Sequence, residues 1–175
     1  VLLNRGNGTY LGANNYTACI SSGAITTALV AGRFDNDAYT DLAVSCSKCP
    51  DHADNTCITI LKGHADCSFE SLQTFDTPLS NSGGTVKLRA IDLAYDGKLG
   101  LAIAQSLETN IYIYENQSAI NSVQPIKPSG ITLSVSPGYP IDFQGANLND
   151  DTKLDLVVLS DNGVDTDSLL RCINS

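Results

Sequence analysis

The sequence predicts an all-β protein made of consecutive antiparallel four-stranded units. Three observations carry this expectation. The 175-residue chain holds 16 Asp against 3 Glu, and Asp favours turns and caps where Glu would support helices. Its 14 Gly and 6 Pro punctuate short runs of Val, Ile, Thr and Tyr, the pattern of strands bounded by turns. One strand, loop, strand pattern also occurs three times along the chain, which makes the fold a repeat.

The three occurrences cover residues 30–44, 88–103 and 143–158. In each, a strand leads into an Asx-rich loop, and a short apolar strand follows, beginning at Leu42, Leu101 or Leu156. Alternating strands come next at residues 57–61, 111–114 and 168–172. Further polar-apolar segments at 69–75 and 123–126 complete the first two repeats. A lone four-stranded sheet cannot cover its own apolar faces and stacks on like neighbours, so each unit reads as a propeller-type blade. The chain divides into a partial unit (1–20), a blade (21–84), a second blade (85–130) and an incomplete one (131–175). A β-sandwich with similar turns is the alternative.

Ten Lys and Arg against 19 Asp and Glu leave a formal charge of −9. Scattered basic residues on so acidic a chain form no patch that displaces counterions from phosphates, which argues against nucleic acid as a partner. No apolar run approaches the roughly 20 residues that cross a bilayer as a helix, so no membrane span is expected. No enzyme is expected either. The chain has only two His, His52 and His64, both in a Cys-rich insertion, and neither a Gly-x-Ser-x-Gly elbow nor a phosphate-cradling glycine loop. Its Asp pairs recur at the repeat period, which turn chemistry explains better than acid-base catalysis. Tyr112 and Tyr114 share one strand face and offer either packing between units or a platform for a sugar.

The six cysteines, an even number, fit an oxidising compartment. The absence of Met, even at position 1, fits a processed product or a fragment boundary. Cys46, Cys49, Cys57 and Cys67, with His52 and His64, are either zinc ligands or two local disulfides of open connectivity. Cys19 and Cys172 are left over at opposite ends of the chain. Asn7, Asn15 and Asn116 head Asn-X-Ser/Thr sequons and are the candidate sites of N-linked glycans.

The segments 32–44 (GRFDNDAYTDLAV) and 147–158 (NLNDDTKLDLVV) resemble the FG-GAP/VCBS repeat of integrin-α-like β-propellers, and 1–10 (VLLNRGNGTY) resembles the end of such a repeat. The resemblance implies propeller blades, an extracellular setting, calcium in the Asx loops, and binding of glycan or protein or a structural role. In that family the loop's first, third, fifth and ninth positions supply oxygen to the ion. Carried over, the third loop places Asn147, Asn149, Asp151 and Asp155 there, with Thr152 where a Gly is usual. The first loop keeps Asp35, Asp37 and Asp41 but has Arg33 at the first position, a guanidinium expected to neutralise the carboxylates in place of a metal. The second retains Asp92 and Asp96, has Ala94 and Gly100 elsewhere, and is expected to hold no metal.

Two full units and two partial ones do not make a closed ring, so the blades are expected to form an open array within one chain. Open sheet edges invite strands from another chain. The expected function is an extracellular structural protein that assembles head to tail into a fibril, the N-terminal strands of one copy completing the last blade of the next, with a Cys19 to Cys172 bridge between copies. The alternative is a piece of a larger secreted adhesion or lectin-like propeller that binds glycan or protein with calcium.

Overall fold

A computed structural model describes residues 1–35, 37–80, 83–117, 126–161 and 168–173. Among them there is no helix, and eleven strands form three antiparallel sheets. The first sheet runs in the order β1 (Thr26–Gly32), β2 (Asp41–Cys46), β3 (Asn55–Gly63), β4 (Phe69–Ser80). The second follows with β5 (Val86–Ile91), β6 (Gly100–Gln105), β7 (Asn110–Asn116) and β8 (Ile126–Ser134). The third contains β9 (Tyr139–Ala146), β10 (Asp155–Asp161) and β11 (Ser168–Ile173), with β10 in the middle. Within each sheet, every strand pairs with its neighbour in sequence.

The sheets stack face to face in chain order. Phe34, Ala43, Ile58, Ile60 and Leu79 from the first sheet and its loops pack on Leu88, Leu101, Ile103, Tyr114 and Ile126 of the second. On the opposite face of the second sheet, Ala102, Ala104, Ile111 and Ile113 meet Phe143, Leu156 and Val158 of the third. Alternation along β6 therefore serves two interfaces, and all six of its residues are buried. The edge strands β1, β5 and β9 lie beside one another along one side of the stack.

Side chains also tie the layers together. Gln73 on β4 donates its amide to Ile126 O at 2.8 Å and accepts Ile126 N–H at 3.1 Å. Arg89 on β5 donates to Phe143 O and, at 2.5 Å, to the Asp142 carboxylate. Tyr114 lies 5.1 Å from Phe75 between the first two sheets, so the tyrosine pair expected as packing or platform is packing. Burial raises the Tyr114 phenol well above its ordinary value.

Two expected boundaries move. β8 extends to Ser134, past the division at 130/131, because the alternation over 131–134 serves the last strand of the second sheet rather than the first strand of the third. Of the segment expected at 123–126, residues 123–125 lie outside the described residues. Residues 1–20 do not form two strands of a sheet. They make a small hairpin with one bridge, Asn4 to Tyr10, turned by Gly6 and Gly8 at φ of 81° and 82°. The Asn4 and Asn7 side chains accept the Gly6 and Thr9 amides within that turn.

Candidate functional site

The first Asx loop joins β1 to β2. Asp41 opens β2 fully buried, and its carboxylate is an anchor for the backbone: Oδ2 accepts Phe34 N–H at 2.7 Å and Oδ1 accepts Gly63 N–H at 2.9 Å. Burial raises its pKa, an effect the amide donors partly offset. Asp35, Asp37 and Asp41 converge, with one carboxylate oxygen of each within 4.8 Å of the others. The counter-charge is Lys62. Its ammonium bonds Asp35, which is 2% exposed, and Asp37 at 2.8 Å. These two bonds push the Lys62 pKa up. Burial opposes the ionisation of Asp37, but Lys62 together with the Tyr39 amide and Asp35 outweighs it and leaves that carboxyl below its usual value.

Arg33, expected to neutralise this loop, is exposed. Alternation explains the exchange of roles: Leu42 pairs with Leu61, so the next residue, Lys62, stands level with Asp41 at the loop mouth. The donor set with Lys62 in place does not fit a metal, since an ammonium already bonds two of the three carboxylates.

The third loop repeats the anchor. Asp155 opens β10, is buried, and accepts Leu148 N–H at 2.9 Å, seven residues back as Phe34 is from Asp41. Its Oδ1 is buried with no hydrogen-bond partner among the described residues. Asn147, Asn149 and Asp151 turn oxygens onto the Asp150, Asp151 and Lys153 amides. Thr152 adopts φ of 71°, the left-handed conformation that a glycine would take without cost. The orphaned Asp155 oxygen suits a cation, whereas the oxygens bonded to amides would have to share. In the second loop Gly100 stands at the anchor position, and Asp92 accepts Gly97 N–H at 2.9 Å instead.

The cysteines pair differently from expectation. Cys19 forms a disulfide with Cys46 across a Cα separation of 5.6 Å. Cys46 is thus not paired within the insertion, and Cys19 is not available for a bridge between copies. Cys49 and Cys57 are buried thiols and Cys67 is an exposed one, while the Cys172 side chain lies outside the described residues. With Cys46 in a disulfide to Cys19, a zinc site there loses a thiolate. His52 pairs instead with Asp76, and His64 with Glu70 at 3.2 Å.

The bridge holds residues 16–19 over the outer face of the first sheet. Ala18 packs on Val44 and Leu61, and Tyr16 meets Phe69 edge-on at 5.4 Å. A cavity of about 500 Å³ remains between this segment and Thr26, Ala28, Leu29 and Leu42. At the far end of the stack, Leu159 and Ile141 of the third sheet are exposed. No protein-family model matches the chain, and no curated protein matches it.

Sequence position alone does not reveal Lys62, Gln73, Arg89 or Asn116 as contact makers. Asn116 is 6% exposed, and its amide donates to Phe34 O at 3.1 Å and Leu99 O at 3.0 Å. That amide nitrogen is the atom a glycan would need, so the folded chain does not suit modification at Asn116. Asn7 and Asn15 are exposed. The nearest sequence signal for Asn116 is its place at the end of an alternating strand, which the sequon obscured.

Proposed function

We propose that the chain is an extracellular structural protein that assembles head to tail, its stacked sheets acting as blades that continue from one copy to the next. The observation that carries this reading is the third sheet. It has three strands among the described residues, where the first and second have four, and β11 at its edge pairs only with β10. An edge of this kind accepts a further strand through backbone hydrogen bonds.

The N-terminal hairpin is the complement. Its two arms meet through the Asn4–Tyr10 bridge and belong to none of the three sheets, and Val1, Leu2, Tyr10 and Leu11 are exposed on it. Added to β11 of another copy, it supplies a further strand. Such a contact joins unlike surfaces and does not close, so repetition yields a filament. The Cys19–Cys46 bridge in each copy anchors the base of the hairpin for this purpose. Calcium in the third loop belongs to the same reading, supported by the buried Asp155 oxygen.

Light scattering with negative-stain imaging of the full chain tests the proposal. The expected result is elongated polymers of an 18.5 kDa subunit, which Leu2→Asp with Leu11→Asp reduce to single subunits without unfolding them. A parent chain that stays a monomer of that mass at every concentration overturns it.

A further inference from the structure

The Cys19–Cys46 bridge leaves two buried thiols beside it. Cys46, Cys49 and Cys57 form one buried cluster with Cys19 packed against it. Cys57 stands opposite Cys46 in the ladder between β2 and β3, and Cys49 follows three residues after Cys46 in the turn that joins these strands. The two thiols make crossed hydrogen bonds to the same turn, Cys49 to Asn55 O and Cys57 to Lys48 O, each at 3.3 Å. Each thiol thus reaches a carbonyl near the other's position, within one buried cluster. Cys67 is outside the cluster and exposed.

We infer that Cys49 and Cys57 form a second disulfide, which closes the turn between β2 and β3. The inference rests on this cluster and not on the assembly reading. In the balanced step, the two thiols exchange with a low-molecular-weight disulfide such as oxidised glutathione. The new Cys49–Cys57 sulfur bond forms, the reagent's sulfur bond breaks, and the reagent leaves as two thiols carrying both protons. A bond of about 2.0 Å would join two side chains that already share one buried cluster. Burial and the neighbouring Cys57 and Asp76 raise the Cys49 pKa, which slows attack by the folded protein and favours closure during folding.

The test is thiol trapping on the full chain. The protein is refolded in a glutathione redox buffer, denatured, alkylated and cut on the C-terminal side of Lys and Arg and before Asp. Cleavage at Lys48, Asp51 and Asp54 puts Cys46, Cys49 and Cys57 on separate peptides. The expected result is one linked pair containing Cys19 and Cys46 and a second containing Cys49 and Cys57. In Cys49→Ser, Cys57 becomes fully alkylated while the Cys19–Cys46 pair persists. Alkylation of both Cys49 and Cys57 in the oxidised parent, or a link from either to Cys46, overturns the inference.

Discussion

Lys62 supplies the positive charge that Asp35 and Asp37 share in the first loop. With Asp35 buried and Lys62 itself 24% exposed, loss of the ammonium strands a carboxylate in a low-dielectric site. Lys62→Met should cost on the order of 2–3 kcal/mol, measured by urea unfolding, and millimolar calcium should return part of the loss in the variant by occupying the vacated position. The pH dependence has a definite sign. Lys62 is raised, so its contribution is full below about pH 10.4 and is lost as pH climbs through the higher folded value. Asp37 is lowered, so its contribution holds above about pH 3.9 and is lost as pH falls through the lower folded value. Lys62→Met should flatten the unfolding midpoint at both extremes. At Thr152 the left-handed backbone strains a β-branched residue, and Thr152→Gly should stabilise by about 1 kcal/mol in the same assay. Expressed through a eukaryotic secretory pathway, the chain should carry glycan on Asn7 and Asn15 but not Asn116, read by mass change on enzymatic deglycosylation.

Among the elements, β6 is the most constrained. It is covered on both faces, with Leu101 and Ile103 turned to one interface and Ala102 and Ala104 to the other. The small residues let the third sheet approach, while the large ones fill the space to the first. Gly100 at its start has no room for a side chain, since a Cβ there would run into the Tyr114 carbonyl oxygen. Gly100→Ala should therefore cost about 2 kcal/mol, and Ile103→Ala about 3 kcal/mol, both by chemical denaturation. Gly100 also explains why the second Asx loop departs from its neighbours: the anchor carboxylate of Asp41 and Asp155 cannot fit against that strand. The short apolar strands at 42, 101 and 156 were legible because the alternation and the Asx turns before them are local signals. The end of β8 was not, because alternation across 126–134 is the same whichever sheet the strand joins.

At the scale of the whole molecule, residues 16–19 cover the outer face of the first sheet, while Ile141 and Leu159 of the third sheet are exposed among the described residues. Copies carrying a formal charge of −9 repel at long range, and salt screens that repulsion within about 10 Å at 0.1 M. Assembly through the proposed edge should accordingly strengthen as salt rises from millimolar to physiological concentration, followed by light scattering. A contact held by ion pairs between copies would weaken instead.

The amino-acid order alone determined the all-β class, the three Asx turns and the strands they launch, because side-chain alternation and turn chemistry act within a few residues. It also placed Asp35, Asp37 and Asp41 together, since one loop holds all three. Only the tertiary structure decided that Lys62 rather than Arg33 balances them, that Cys19 joins Cys46, and that Asn116 is buried between layers. Each of those partners meets through strand register or sheet stacking across long stretches of chain, and such contacts depend on how whole elements pack.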